Sequence, residues 1–307
     1  RVTFGDLLDQ ALGDPTLRPR TLEDYGRTAR HLEALRPVRL DRVTPYLLAS
    51  VLQPLHARPR LALKAYRLLS RVLRQAVRLG LVAANPLEAL EVPRYRPERA
   101  RPWTPQQVAA FLRAARGHRL EGLFWVLATG GLRVSEALAL RWCDFDFQEG
   151  VVRVERTVHR VGGAWVTCPP KTRAGHRVVH LPGQALEVLK RLRLEARKQA
   201  LAEGRPWSEE DLAWKATDGG PLHRQAVEKA MQALARKAGL PPEGARPHAL
   251  RHAHASHLLA GGLGLPDVSR RLGHASPAIT AAVYTHALGQ DRRAAQVLER
   301  LLGESGR

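Results

Sequence analysis

The 307-residue chain is poor in cysteine, in aromatic residues and in acidic residues. Its two cysteines, Cys143 and Cys168, are too few for the disulfide framework of a small secreted protein, and they favour a reducing compartment. The longest apolar run, around residues 122–128, is much shorter than the roughly 20 residues that cross a bilayer. Because no signal peptide is visible either, the sequence predicts a cytoplasmic protein that is not inserted in a membrane.

The scarcity of acidic residues leaves a large positive charge. The chain has 49 Lys and Arg against 29 Asp and Glu, which gives a formal net charge of +20. Such an excess indicates a polyanionic partner, and nucleic acid is the natural candidate. The alternative is a ribosomal or merely basic protein, which would not explain the ordered set of phosphate-directed residues described below. The length predicts two domains, each able to bury a core.

Residues 1–92 predict a compact helical domain. Thr21 with Asp24 predicts a capping box at a helix start, and Thr44–Pro45 opens another helix. A further helix is expected from about residue 61 to residue 79, with Gly80 as its end. That helix carries basic residues three and four positions apart on one side, which we expect to contact DNA phosphates unless they form an ordinary solvated face: Lys64, Arg67, Arg71, Arg74 and Arg78.

Residues 93–102 are rich in proline and arginine and predict an interdomain linker, in which Arg94 and Arg96 are expected to follow phosphates. A second domain, residues 103–290, begins with Thr104 and Gln107 as a capping box. Its β-branched runs over residues 151–181 predict one small three-stranded sheet between helical segments. The fold class is therefore mainly α with a small antiparallel β-sheet, followed by a C-terminal helix and tail at residues 291–307.

Residues suited to phosphoryl transfer occur in the second domain. The motif HALRHAHASH places His248, Arg251 and His252 on one face of a helix, at positions i, i+3 and i+4. Farther along the chain come His274 and Tyr284. A tyrosine hydroxyl has a pKa near 10, so neighbouring cations must stabilise its attacking form. Planar guanidinium groups suit phosphate, and the chemistry requires no metal ion or other cofactor.

Two upstream motifs complete this set. ATGGLRVSEALAL carries Arg133 and Glu136, and CPPKTRAGHRVV carries Lys171 and Arg173. In order and local context, with LGH and YTH downstream, the residues resemble the tyrosine recombinases of the phage integrase family, of the type found in temperate phages and conjugative transposons. The resemblance implies a two-domain architecture, with a helical core-binding domain at residues 1–92, a linker, and an α+β catalytic domain.

The resemblance also implies a role for each residue. Tyr284 would attack the scissile phosphate, which Arg133 and Arg251 would hold, while Lys171 would protonate the departing 5′ oxygen. Arg173 is an alternative cation for that proton and a candidate DNA contact. His248 would assist proton transfer from the tyrosine and His274 would donate a hydrogen bond. Two further residues are accessory, one orienting a cation and the other supporting the site: Glu136 and His252.

As a whole, the resemblance implies a site-specific recombinase that cuts and rejoins DNA through a 3′-phosphotyrosyl intermediate, with strand exchange via a Holliday junction. Four protomers would act on two double-stranded recombination sites, although the free protein is compatible with a monomer. Residues 291–307 would be exchanged between protomers or would pack on their own. In a bacterial cell the protein would be associated with the nucleoid, and a host DNA-bending factor or a directionality factor would fit this scheme.

Four other interpretations compete with this one. Histidines at i and i+4 also suit zinc, but the glutamate of HExxH and cysteine partners are lacking. A type IB topoisomerase would relax DNA with similar chemistry, and a non-catalytic DNA-binding relative would keep the fold alone. A metal-dependent nuclease would need clustered carboxylates, which the motifs lack. The sequence leaves open the target DNA, the direction of reaction, and whether an arm-binding domain precedes Arg1.

Overall fold

The computed structural model describes residues 2–95 and 102–284, with the backbone alone for residues 282–284. The chain divides into an N-terminal unit and a C-terminal unit, and each is described by itself. Among the described residues, no helix combines the length and the apolar character needed to cross a bilayer. The domain boundaries at residues 92 and 103 stay a prediction.

Within residues 2–95, the N-terminal unit has four α-helices around one apolar core: α1 (Phe4–Leu12), α2 (Pro19–Ala29), α3 (Pro45–Leu52) and α4 (Pro59–Arg78). The longest, α4, packs its buried face against the other three helices. Thr44 caps α3 as predicted, with its hydroxyl accepting a hydrogen bond from the Leu47 amide at 3.2 Å. Past α4, Gly80 has a φ of +68°, a conformation that glycine adopts without strain.

The capping box predicted at Thr21 and Asp24 is wrong. Helix α2 begins at Pro19, three residues before the first helical position that this box would give, because proline at the first helical position fixes φ and needs no hydrogen-bond partner for its nitrogen. Asp24 instead lies inside α2, where its carboxylate binds the Lys64 ammonium group of α4 at 2.6 Å. The residue therefore links two helices rather than starting one.

The C-terminal unit is also mostly helical. The capping box at Thr104 is confirmed, since its hydroxyl accepts from the Gln107 amide at 3.2 Å and its own amide donates to the Gln107 side chain at 2.9 Å. One helix, α6, is buried on nearly all sides and packs against α8 and α10. The helices are α5 (Pro105–Ala114), α6 (Glu121–Gly130), α7 (Val134–Ala137), α8 (Gly183–Ala202), α9 (Arg224–Lys237), α10 (Pro247–Ala260), α11 (Leu265–Leu272) and α12 (Pro277–Tyr284).

Between residues 102 and 284 the strands form two sheets rather than the single three-stranded sheet predicted over residues 151–181. One is antiparallel, in the order β1 (Phe145–Asp146), β2 (Val151–Val154), β5 (Arg177–His180). The other is a hairpin of β3 (Thr157–Val161) and β4 (Ala164–Cys168), closed by two glycines, Gly162 and Gly163, at φ +57° and +87°.

The run of β-branched residues that begins at residue 151 is interrupted at Arg156, whose side chain turns away to a buried partner. Its guanidinium binds the carboxylate of Asp144 at 2.8 Å, just before β1. The chain leaves the first sheet there and forms the hairpin before it returns as β5. As a result β5 pairs with β2, and the segment carrying Lys171 lies between the hairpin and β5.

Candidate active site

Two helix C-termini meet at the centre of the candidate site. Helix α6 is followed by Gly131 and α11 by Gly273, and both glycines adopt the left-handed conformation, with φ of +64° and +68°. The last carbonyl groups of a helix have no partner within it, and they form the negative end of its dipole. In this protein arginine and histidine side chains bind those carbonyls, so the helix ends hold a cluster of cationic groups.

Arg251 connects the two helix ends. It projects from α10 and is 1% exposed. Its Nη1 donates to the Gly131 carbonyl at 2.6 Å, and its Nη2 donates to the Leu272 carbonyl at 2.8 Å. These bonds fix the guanidinium plane, and the partial negative charge of both helix ends compensates part of the cost of burying a cation.

Arg133, the residue before α7, reaches the same segment. Its Nη2 donates to the Gly273 carbonyl at 3.2 Å and its Nη1 to Glu136 Oε1 at 2.7 Å. The other oxygen of Glu136 accepts from the Arg133 backbone amide at 2.9 Å. Arg133 and Arg251 thus bind the carbonyls of adjacent residues, and the structure brings together these two predicted residues. The role of Glu136 in orienting a cation stays a prediction, with an ordinary helix ion pair as its alternative.

Arg177, at the start of β5, was missed by sequence reasoning. Its Nη2 binds Glu136 Oε2 at 2.9 Å and its Nε donates to the Arg271 carbonyl at 2.8 Å. Three consecutive carbonyls at the end of α11 therefore accept hydrogen bonds from three arginines. The available signal was strand alternation, since Arg177 shares a face of β5 with the buried Val179.

Glu136 carries a buried negative charge beneath these cations. Burial of its carboxyl acts to raise the pKa, but the charge and hydrogen bond of Arg177, followed by those of Arg133, outweigh burial and lower the pKa below its usual value. Glu136 is therefore ionised at neutral pH. Its charge offsets part of the repulsion between the two guanidinium groups and holds both in a fixed orientation.

His274 follows Gly273 directly and lies beside the arginines. Its Nδ1 is 2.7 Å from the hydroxyl of Thr280, a fully buried residue of α12. Burial, together with the charges of Arg251 and Arg133, lowers the pKa of His274 to about 4. The ring is therefore neutral at pH 7, and the hydrogen bond to Thr280 fixes its orientation.

His248 and His252 lie on α10 one turn before and one residue after Arg251. The ring of His248 reaches solvent, yet desolvation and then the charge of Arg251 lower its pKa. His252 is half-buried. Within the part of the chain that the structure describes, no group of three or more His, Cys, Asp or Glu side chains is arranged to hold a metal ion.

Lys171 and Arg173 lie in the segment between β4 and β5. Both side chains are exposed, and neither forms a hydrogen bond or ion pair with the described residues. The end of this segment is anchored, because the Gly175 carbonyl accepts from Arg177 Nη1 at 3.1 Å. Arg177 therefore connects the Lys171 segment with the arginine cluster.

Tyr284 is the last residue of α12, and its side chain lies outside the described residues. The same holds for Arg96, for most of the predicted linker, and for the predicted tail at residues 291–307. Backbone continuity alone relates Tyr284 to the cluster: α12 begins three residues after His274 and contains Thr280, the partner of that histidine.

The basic side of α4 divides into two kinds of residue. Arg67, Arg74 and Arg78 are exposed and border a groove of the N-terminal unit, whereas Lys64 and Arg71 form ion pairs with Asp24 and Asp14. Arg94 is also exposed. The two paired cations already have a carboxylate partner within the unit.

Comparison with known proteins assigns the chain to a family. Residues 102–290 match the phage integrase family. The chain belongs to that family. A tyrosine recombinase XerC-like protein of Caldanaerobacter subterraneus subsp. tengcongensis is 29% identical over 202 residues, which cover 62% of this chain and 51% of that protein. An integrase of Streptomyces ambofaciens is 32% identical over 228 residues, which cover 70% of this chain and 57% of the relative.

Solved structures share the fold of this integrase-family chain. The Tn1549 transposon integrase in complex with a circular intermediate DNA superposes with a TM-score of 0.82 at 21% identity, covering 98% of this chain and all of that one. A lambda integrase tetramer bound to a Holliday junction gives a TM-score of 0.66 at 20% identity, and the match covers 94% of this chain and 79% of the lambda integrase chain. These comparisons confirm the predicted family. They also confirm the predicted fold class, which is mainly α with small antiparallel β structure in a two-domain tyrosine recombinase architecture.

Proposed function

We propose that this protein is a tyrosine-type site-specific DNA recombinase that cuts and rejoins double-stranded recombination sites through a 3′-phosphotyrosyl intermediate. The observation that carries the proposal is the attachment of Arg133 and Arg251 to the adjacent carbonyls of Gly273 and Leu272, next to His274. Guanidinium groups that are already oriented before substrate binds can stabilise charge on a phosphate without reorganisation during the reaction.

The reaction balances with the residues of this chain alone. The Tyr284 oxygen attacks phosphorus while Arg133 and Arg251 bind the non-bridging oxygens, and the bond from phosphorus to the 5′ oxygen breaks. The tyrosine proton passes to His248, whose lowered pKa keeps it neutral at pH 7 and able to accept. The 5′ oxygen takes a proton from Lys171, with Arg173 as the alternative. A second 5′ hydroxyl then gives its proton to Lys171 and attacks phosphorus, and the bond from phosphorus to the Tyr284 oxygen breaks. The Tyr284 oxygen takes its proton back from His248, which restores the DNA backbone and the free enzyme.

His274 serves this chemistry as a neutral hydrogen-bond donor. With a pKa of about 4 it carries one ring proton at pH 7, and its Nδ1 is already engaged with Thr280. A neutral donor stabilises a non-bridging oxygen without adding a further cation beside Arg133 and Arg251. His252 supports the site from the same face of α10.

DNA binding and assembly are further parts of the proposal. The exposed α4 arginines, with Arg94, Arg96 and Arg173, would contact phosphates, while residues 1–92 and 103–290 act as core-binding and catalytic domains. The lambda integrase tetramer on a Holliday junction supports, by analogy of fold, four protomers acting on two sites. The same proposal includes a protein that is monomeric when free of DNA and that exchanges residues 291–307 between protomers on DNA. It also includes a host DNA-bending factor or a directionality factor, and a cytoplasmic location associated with the nucleoid.

The decisive experiment traps the covalent intermediate. Tyr284→Phe removes only the attacking oxygen, so we expect normal DNA binding and no protease-sensitive adduct. Tyr46→Phe is the matched control, because that side chain is 84% exposed and lies on the N-terminal unit. An adduct that persists in Tyr284→Phe would refute the assignment. EDTA should leave cleavage intact, whereas activity lost to EDTA and restored by zinc would favour a metal site.

The same assay separates the alternatives. Relaxation of supercoiled DNA without exchange between two sites would favour a topoisomerase-like enzyme, and DNA binding without any adduct in the unaltered protein would favour a non-catalytic relative.

Truncation after Gly289 tests the exchanged tail. We expect the truncated protein still to bind a single DNA site but to fail in strand exchange between two sites. A truncated protein that recombines at the full-length rate would eliminate the exchange, and early melting would favour a tail packed on its own protomer.

A further inference from the structure

A histidine outside the predicted catalytic set lies between the two helix ends that hold Arg251. His254 is on α10, three residues beyond Arg251, and is 8% exposed. Its Nδ1 is 3.0 Å from the Ala128 carbonyl in the last turn of α6, and its Nε2 is 3.1 Å from Nε of Arg271 in the last turn of α11. The imidazole therefore bridges α6 and α11.

The two partners fix the form of the ring. A carbonyl oxygen only accepts hydrogen bonds and a guanidinium only donates them, so His254 carries its proton on Nδ1 and offers the Nε2 lone pair to Arg271. Protonation of Nε2 would remove that acceptor and place two cations against each other. Burial and then the charge of Arg271 lower the pKa of His254 to about 3, which agrees with a permanently neutral ring.

Arg271 extends the bridge to a third element. Its Nη2 donates to the Thr129 carbonyl at 2.9 Å and to the His180 carbonyl, at the end of β5, at 2.8 Å. Successive carbonyls at the end of α6 are thus used by different side chains, since Ala128 binds His254 and Thr129 binds Arg271. The His254–Arg271 pair satisfies helix-end carbonyls that would otherwise lack a partner.

The pair adjoins both carbonyls that hold Arg251. The ring of His254 packs on Gly131, because a Cβ built on this glycine would lie 2.5 Å from the ring carbon Cδ2. The Gly131 carbonyl accepts from Arg251, and the other acceptor, Leu272, directly follows Arg271. The contact between His254 and Arg271 therefore lies directly beside both acceptors of Arg251.

We propose that His254 and Arg271 are positioning residues: their neutral bridge sets the distance between the carbonyls of Gly131 and Leu272 and so orients the Arg251 guanidinium toward the scissile phosphate. This inference rests on the proposed recombinase function. It assigns a role to two side chains that need not touch the substrate and act through a third.

The test compares single-turnover cleavage by His254→Phe and Arg271→Met. Both variants keep a side chain of similar bulk and remove the bridge. We expect cleavage to slow by about 10- to 100-fold, the range for a modest misplacement of a catalytic group, with little change in DNA affinity. The cleavage rate of the double variant should be no lower than that of the slower single variant, because the two substitutions break the same contact.

A modified substrate distinguishes orientation of Arg251 from a general loss of structure. A methylphosphonate at the scissile position replaces one charged non-bridging oxygen with a neutral methyl group, so it needs less stabilisation by arginine. The cleavage defect of His254→Phe should shrink on this substrate, in parallel with that of Arg251→Ala. A loss of folded protein would instead reduce cleavage of both substrates equally.

His257→Phe is the matched control. It lies on the same helix, and its Nε2 contacts the Trp103 carbonyl at 2.8 Å, away from Arg251. Below its melting temperature, we expect His257→Phe to cleave DNA at the rate of the unaltered protein. Should His254→Phe fail to fold, Arg271→Met carries the comparison. Three outcomes would overturn this inference and leave the proposed function standing. They are unaltered cleavage by the two single variants, a double variant whose rate loss is the product of the single losses, and a defect of His254→Phe that is just as large on the methylphosphonate substrate. An unaltered protein that forms no adduct would refute the proposed function and this inference with it.

Discussion

Glu136 and Arg177 form a buried ion pair beneath Arg133, with side chains only 1% and 6% exposed and Oε2 2.9 Å from Nη2. Glu136 comes from the helix that begins after Arg133, and Arg177 from the first residue of β5. Arg177 also binds the carbonyls of Arg271 and Gly175. One ion pair therefore joins the arginine cluster, the end of α11 and the Lys171 segment.

Arg177→Met should destabilise the C-terminal unit by about 3 kcal/mol, the low end for a broken buried ion pair, because Glu136 keeps its contacts with Arg133. Urea denaturation of the variant and the unaltered protein measures the difference. In a Glu136→Gln background the same substitution should cost much less, since no buried carboxylate is left unpaired. An equal cost in both backgrounds would contradict a specific role for the pair.

The stability difference between the unaltered protein and Arg177→Met should also depend on pH. The folded-state pKa of Glu136 lies below its usual 4.5, so its contribution to stability is present above pH 4.5 and is lost as the pH falls through the lowered pKa. Loss of Arg177 removes the largest effect that lowers this pKa, so the pKa of Glu136 should rise in the variant. The two proteins should therefore become more alike in stability below pH 4.5, and a constant difference down to pH 3.5 would contradict this.

Mild acid should destabilise the unaltered protein through its neutral histidines. The pKa values of His254 and His274 fall from 6.5 to about 3 and about 4, so the unfolded chain binds more protons below pH 6.5. Stability is then full above pH 6.5 and decreases as the pH falls toward 4, by up to about 1.4 kcal/mol per pH unit for each group. Denaturation of His254→Asn from pH 7 to pH 5 should give a shallower slope, whereas an unchanged slope would refute the assignment to His254.

Local sequence patterns predicted the parts of the site that depend on one helix or one motif. Arg133 with Glu136 and the α10 residues follow from short spacings. The supporting residues could not be found this way, because Arg177 contacts a partner 41 residues away and His254 contacts one 126 residues away. Strand β1 has two residues, too few for a β pattern, so the pairing that separates the sheet from the hairpin was missed as well.

The salt dependence of DNA binding should separate the two kinds of cation on α4. Arg67→Ala and Arg74→Ala should each reduce the slope of log affinity against log salt by about 0.9, because each exposed side chain releases one counterion on contact with a phosphate. Arg71→Ala should change the slope less, since Arg71 is paired with Asp14, and should instead lower the stability of the N-terminal unit. Equal slopes for all three variants and the unaltered protein would favour a merely solvated face.

The last prediction concerns the proton that the departing 5′ oxygen needs. Lys171 and Arg173 are both exposed, two residues apart in one segment. If Lys171 is the general acid, Lys171→Ala should slow cleavage by about 10² to 10⁴ and Arg173→Ala should have a smaller effect. A substrate with sulfur in place of the bridging 5′ oxygen releases a thiolate, whose conjugate acid has a pKa of about 8.5 and which leaves without protonation. Lys171→Ala should therefore recover nearly the full rate on the sulfur substrate. A defect of the same size on both substrates would mean that Lys171 binds DNA rather than donating the proton, and recovery by Arg173→Ala instead would transfer the role to Arg173.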